Sequence, residues 1–109
     1  MAQAFKLTVS GAGIASVKVS SYSASAVGQI AGVLGVAGAT DPLDVVLWSC
    51  PEEPSGTIPA GSQALGELKA AVSSNALLNL APDGIDVLQY IAAQFVDADT
   101  AHAVYVYVK

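Results

Sequence analysis

The chain has 109 residues, of which 53% are hydrophobic and 12% are charged, and its formal net charge is −5. This hydrophobic content exceeds that of disordered chains and the length suits one domain, so we expect a single domain over residues 1–109. Only four residues are cationic, and all are lysines. This deficit argues against nucleic acid and anionic membrane surfaces as partners, because both require clustered positive charge.

Residues 5–10 (FKLTVS) and 15–21 (ASVKVSS) alternate apolar and polar side chains. That period is typical of half-buried strands. The glycines in GAG (11–13) can form a tight turn between them. The pattern predicts an N-terminal β-hairpin.

The next segment, GQIAGVLGVAG (28–38), combines a helical spacing with four glycines. Val27, Ile30 and Leu34 recur at intervals of three and four, which predicts a helix over residues 26–36. Each interior glycine costs about 1 kcal/mol relative to alanine, so packing of the apolar stripe on a sheet must offset the cost. The glycine spacing does not match a phosphate-binding loop. The glycines form either a small-residue surface, exposed or tightly packed, or a site where another chain approaches the backbone.

The middle of the chain contains one clear strand. Residues 43–49 (LDVVLWS) are rich in strand-forming residues and apolar on both faces. The Pro- and Gly-rich segment 50–61 predicts a loop, and 62–72 predicts a short helix. Residues 73–82 fit either a short strand or an irregular segment.

The C-terminal part predicts a second helix and a closing strand. Asp83 can cap a helix over residues 83–96, with Leu88, Ile91 and Phe95 in its apolar stripe. Residues 101–108 (AHAVYVYV) alternate strongly and predict the last strand.

The alternation also predicts which strand side chains face the core and which face outward. We expect the following six side chains to point inward: Val17, Val19, Val45, Leu47, Val104 and Val106. We expect Val46, Trp48, Tyr105 and Tyr107 to point outward together on adjacent strands and to bind protein partners. Self-association through this face is also possible. The alternative is that the segment 50–82 folds back and buries it.

The order of these elements resembles the ubiquitin-like β-grasp, and the likeness extends to the helix stripe Val27, Ile30 and Leu34, to the strand LDVVLW, and to the short helix DVLQYI shortly before AVYVYV. The resemblance implies an α+β fold with a four- or five-stranded mixed sheet. One main helix would lie across the sheet, and a second, shorter helix would precede the last strand. The first and last strands would be neighbours.

Within that superfamily the chain resembles the ubiquitin-like header domain of Crinkler-type effectors, in the segments LTVSGAGIASVKVSS, DVVLWS, LLNLAPDGIDVLQYI and AHAVYVYV. The resemblance implies a non-conjugated protein-interaction domain, since the last strand runs directly into VYVYVK, where conjugated modifiers carry a Gly-Gly tail. It also implies a secreted or host-cell location. Without it we expect a cytoplasmic location, because the sequence lacks a basic segment followed by an apolar run at its start.

Little in the sequence points to catalysis. Cys50 and His102 are the single cysteine and histidine, so a Cys-based zinc site cannot form, and a nucleophile–base pair would require these two to meet. We therefore expect no enzymatic activity, no cofactor and no metal. The composition, poor in charge and rich in Ala, Gly, Ser and Val, leaves one alternative function: a structural subunit of a virion or other protein assembly.

Overall fold

The regular structure of this chain consists of β-strands. The computed structural model describes residues 3–8, 13–19, 28–79, 85–87, 89–96 and 101–108, and these contain no α-helix. The strands are β1 (Gln3–Thr8), β2 (Ile14–Lys18), β3 (Gly28–Val36), β4 (Leu43–Cys50), β5 (Gln63–Ala70), β6 (Asn75–Asn79), β7 (Ile85–Val87), β8 (Tyr90–Phe95) and β9 (Ala103–Val108).

The strands form two antiparallel sheets. Sheet A has the order β1-β9-β3-β6, and β7 pairs with the same strand, β3, as β6 does. Sheet B has the order β2-β8-β4-β5. Because β6 and β7 pair with successive stretches of β3, they act as one interrupted edge strand. The two sheets are therefore four strands wide, and the chain crosses between them at most connections.

This strand order is that of a jelly roll, a sandwich of two four-stranded sheets in which sequential strands alternate between layers. The core lies between the sheets. Val33, Val104 and Val106 of sheet A are fully buried, as are Val45 and Leu47 of sheet B. These side chains belong to one hydrophobic cluster that spans both layers, and its burial is the main driving force for folding.

The predicted ubiquitin-like β-grasp is wrong. The chain has two antiparallel sheets where one mixed sheet was expected, and the predicted main helix over 26–36 is the strand β3. Two further predictions of helix are also wrong. Most of residues 62–72 form β5, and the described part of 83–96 contains β7 and β8.

In two of the three segments that were predicted to be helices, β-bulges cause the helix-like spacing of the apolar residues. In β3, Ile30 pairs with Val108 and Gly32 with Tyr107, so Ala31 is an extra residue. A bulge turns the following residue to the other face, which places Ile30 and Val33 on the core side, three positions apart.

The bulge in β5 has the same effect. Gly66 pairs with Leu47 and Ala64 with Trp48, so Leu65 is the extra residue. Leu65 and Leu68 both pack in the core, although they are three residues apart. Because an amphipathic helix also repeats its apolar residues at intervals of three, both strands were predicted to be helices.

The third segment predicted to be a helix, residues 83–96, contains strands of both sheets. β7 belongs to sheet A and β8 to sheet B, so the chain passes from one sheet to the other between Val87 and Tyr90. Val87, Ile91 and Phe95 are all buried and four residues apart, an interval that fits the period of two of a strand as well as the period of a helix.

The predicted strands do form strands, but the predicted N-terminal hairpin is wrong. The predicted strands 43–49 and 101–108 correspond to β4 and β9, and the six side chains expected to face inward lie in or against the core. However, β1 pairs with β9 and β2 pairs with β8, so the two N-terminal strands lie in different sheets. The first and last strands are neighbours, as predicted.

Candidate interaction surfaces

The four residues predicted to bind a partner lie on opposite faces of the sandwich. Tyr105 and Tyr107 are on β9, where they alternate with buried valines and point away from the core of sheet A. Val46 and Trp48 are on β4 and point outward from sheet B. All four are half-buried, but β4 and β9 are not adjacent strands. The structure thus divides the predicted site into two surfaces.

The surface on sheet A, which we call the tyrosine face, is a patch of mainly apolar side chains: Lys6, Leu34, Val36, Leu77, Tyr105 and Tyr107. Four of these form one row across the sheet, since the register aligns Lys6 with Tyr105, Tyr105 with Leu34, and Leu34 with Leu77. Leu77 is 62% exposed. A row of this kind gives a continuous apolar strip rather than isolated exposed residues.

One contact orders the edge of the tyrosine face. The Lys6 ammonium nitrogen lies 5.9 Å from the centroid of the Tyr105 ring, within cation–π range. The lysine stem covers apolar surface while its charge remains in solvent.

Sequence reasoning missed Leu34, Val36 and Leu77, because it assigned 26–36 to a helix and left 73–82 open. The available signal was the cost of three glycines inside a helix.

The surface on sheet B, which we call the tryptophan face, has an apolar centre and a charged periphery. Its residues include Lys18, Asp44, Val46, Trp48, Glu67, Lys69 and Gln94. The indole N–H of Trp48 donates a hydrogen bond to Oε1 of Gln94 at 3.1 Å. Because this bond satisfies the one polar group of the ring, another molecule can cover Trp48 without burying an unpaired donor.

Two carboxyl groups meet at one corner of the tryptophan face. Asp44 on β4 and Glu67 on β5 are diagonal neighbours, since Glu67 pairs with Val46. A hydrogen bond to the Asp44 carboxyl, burial and the negative charge of Asp44 raise the pKa of Glu67 above 4.5, whereas Lys69 opposes the shift. The Lys69–Glu67 pair is 3.9 Å apart and well exposed, so it contributes little to stability. Oδ1 of Asp44 is buried and lacks a partner among the described residues. This corner therefore carries negative charge that is only partly compensated.

Cys50 and His102 do not form a reactive pair. Nδ1 of His102 accepts a hydrogen bond from the backbone N–H of Gly38 at 2.9 Å, just beyond the end of β3. Cys50 lies at the far end of β4, whose first residue Leu43 is the one that packs against this end of β3. The two side chains are thus at opposite ends of the sandwich. His102 is buried and ties β9 to the segment after β3, which is a structural role.

The described residues offer little else that could hold a small ligand. They contain no group of three or more His, Cys, Asp or Glu side chains arranged to hold a metal ion. An open depression of about 380 Å³ at one end of sheet B is lined by Pro42, Leu43, Asp44, Lys69, Ala70 and Ala71. The part of the chain that the structure describes includes no helix of the length and apolar character needed to cross a membrane.

Comparison with known proteins does not assign this chain: no family model, no curated protein and no solved structure matches it. The resemblance to the ubiquitin-like families is not tested by these comparisons and stays a prediction, although the fold that it implied is wrong.

Proposed function

We propose that this chain is a structural subunit of a protein assembly, such as a virion or another multi-subunit particle, and that it contacts its neighbours through both outer faces. The observation that carries the proposal is the division of the predicted site between two opposed surfaces. Trp48 and Val46 point outward from one sheet, and Tyr105 and Tyr107 point outward from the other.

Opposed faces suit a subunit that has two neighbours at once. The molecule measures 39 Å by 29 Å by 18 Å, so the two broad sides of the sandwich are separated by its shortest dimension. A domain that captures a single partner needs one hot spot, whereas repeated assembly needs at least two separate contact surfaces on each subunit. Trp and Tyr are also the side chains that most often dominate such contacts.

The fold and composition support the same function. Jelly rolls serve as capsid domains, as well as lectin and cupin domains, so the fold permits the proposal without requiring it. With only 12% charged residues, the chain has few charges to desolvate when its surfaces become interfaces.

Sedimentation velocity over a wide range of protein concentration tests the proposal. We expect the wild-type protein to form species larger than a dimer. Tyr105→Ser should remove contacts on one face and Trp48→Ser on the other, so each variant should form smaller species and the double variant should be monomeric. Thr57→Ser, in the exposed loop between β4 and β5, is the control and should assemble like the wild type.

A wild-type protein that stays monomeric at the highest concentration would contradict the proposal. A monomer that binds one different protein through Trp48 would instead favour the interaction domain predicted in the sequence analysis.

A further inference from the structure

The charges on the tryptophan face lie at diagonally opposite corners, with Lys18 at one and Asp44, Glu67 and Lys69, whose charges sum to −1 when both carboxyls are ionised, at the other. Lys18 is exposed on β2, at one edge of sheet B. The carboxyl pair Asp44–Glu67 lies on β4 and β5, at the other edge. The ion pair found among the described residues joins Lys69 to Glu67, so it does not involve Lys18.

The register of the sheet sets the separation between these corners. Lys18 pairs with Tyr90, which pairs with Cys50, whereas Glu67 pairs with Val46, so the two charges are four residues apart along β4. They are also three strand spacings apart, from β2 to β5. Each of these displacements is about 14 Å, which gives a diagonal of roughly 20 Å.

The apolar centre of the face lies at the midpoint of that diagonal. The midpoint falls between β8 and β4, in the row where Ala92 pairs with Trp48. Trp48 is half-buried, and its N–H is satisfied by Gln94. An aromatic residue at the centre and opposite charges at the periphery is the usual anatomy of a protein interface.

We propose that a second copy of this chain packs on the tryptophan face about a two-fold axis through its centre, so that Lys18 of each copy meets the Asp44–Glu67 corner of the other. This inference rests on the proposed function, because it names one of the two contacts of the assembly. The axis lies in the plane between the copies, perpendicular to the diagonal that joins the charged corners. Rotation about it exchanges the corners and brings the two Trp48 rings together at the centre.

Charge and area both favour a second copy as the occupant. A surface with unlike charges at opposite corners is complementary to itself under this rotation, and two-fold dimers are the commonest assembly of identical chains. The broad side of the molecule, 39 Å by 29 Å, is large enough to bury the roughly 800 Å² per partner of a stable interface.

In the proposed dimer, Lys18 of the second copy would also neutralise part of the negative charge at the Asp44–Glu67 corner. The hydrogen bond to Asp44 raises the pKa of Glu67 and Lys69 opposes that shift, so a further cation at this corner would favour ionised Glu67. A lysine from the second copy would lower that pKa again. Dimerisation should therefore strengthen as the pH rises and Glu67 ionises, and it should weaken when salt is added.

Charge-reversal variants test the proposal, with every protein carrying Tyr105→Ser so that the tyrosine face does not contribute. Lys18→Glu and Glu67→Lys should each raise the dimer dissociation constant, measured by sedimentation, roughly tenfold or more, because each creates two like-charge contacts. An equimolar mixture of these two variants should recover a dissociation constant near that of the parent, since both contacts in the mixed dimer are again between opposite charges. Lys6→Glu, an equal charge change on the opposite face, should have no effect.

The outcomes separate this inference from the proposed function. If the wild type assembles but the mixture does not recover, or if Lys6→Glu has the same effect as Lys18→Glu, the two-fold contact is wrong and the proposed function stands. If the wild type is monomeric, both are wrong. Thermal melts of each variant near that of the parent would show that the exposed substitutions have not unfolded the chain.

Discussion

The space between the two sheets and the outer faces of the same sheets use similar side chains for different purposes. Leu47 is fully buried between the sheets, while its neighbours Val46 and Trp48 are half-buried on the outside. The inner side chains meet fixed partners from the same chain. The outer ones have one side available to another molecule. Apolar character alone therefore does not distinguish core from interface in this protein.

Substitution of two adjacent residues of β4 gives the largest expected contrast. Leu47→Ala should lower the free energy of unfolding by about 2–5 kcal/mol, because it leaves a cavity in a closed core. Trp48→Ala should lower it by less, about 1–2 kcal/mol, since the half-buried ring lies outside the core cluster and its loss removes surface packing and the hydrogen bond to Gln94 without opening a closed cavity. Chemical denaturation of dilute protein measures both. Equal losses would contradict the assignment of Trp48 to an outer surface.

The inner side of β3 should be nearly as sensitive as Leu47. A Cβ atom at Gly35 would lie 2.6 Å from Cδ2 of Leu43 and 3.4 Å from Cδ1 of Leu68. Leu43 is itself fully buried and has little room to move, so Gly35→Val should cost about 3 kcal/mol by overpacking. Ala39→Val, at an exposed position, adds comparable bulk and should leave the melting temperature nearly unchanged. A stable Gly35→Val variant would mean that the sheets are further apart here.

The smallest effect is expected on the tryptophan face and depends on pH. The pKa of Glu67 is raised, so its folded form favours the protonated carboxyl. The stability that this group contributes is fully present below its unfolded pKa, near 4.5, and is lost as the pH rises through the folded pKa. Glu67→Gln keeps a neutral hydrogen-bonding group beside Asp44 at every pH.

The variant Glu67→Gln should therefore be slightly more stable than the wild type at neutral pH and equal to it in acid, in melts of dilute protein. Glu52→Gln, in the exposed loop after β4, is the control and should not change the pH dependence. If Glu67→Gln were less stable at neutral pH, the ion pair with Lys69 would outweigh the repulsion by Asp44.

Gly35 of β3 lies where the two sheets approach each other closely. Gly35 is needed because Leu43 approaches its backbone from the opposite sheet, so it belongs to a tightly packed small-residue surface within the chain. That was one of the two interpretations open from the sequence. The other, approach by a different chain, is not required at this position.

Much of the inward and outward orientation was predictable, because alternation along a strand is a local property. The sequence predicted that Val45, Leu47 and Val104 face the core and that Trp48 and Tyr105 face outward, and the structure agrees. It did not predict β3, β5 or β8. A single extra residue at Ala31 or Leu65 shifts the period from two toward that of a helix, and only pairing with a neighbouring strand identifies it as a bulge.

The apolar composition and the negative charge could be read from the sequence. Four strands and the residues most suited to binding could also be predicted from it. Which sheet each strand joins was decided only by the tertiary structure, and with it whether Trp48 and Tyr105 share a face. The physical reason is that hydrogen-bonded partners such as β1 and β9 lie at opposite ends of the chain. Strands with the same inward pattern fit either layer equally well, so only the packing of the whole sandwich selects between them.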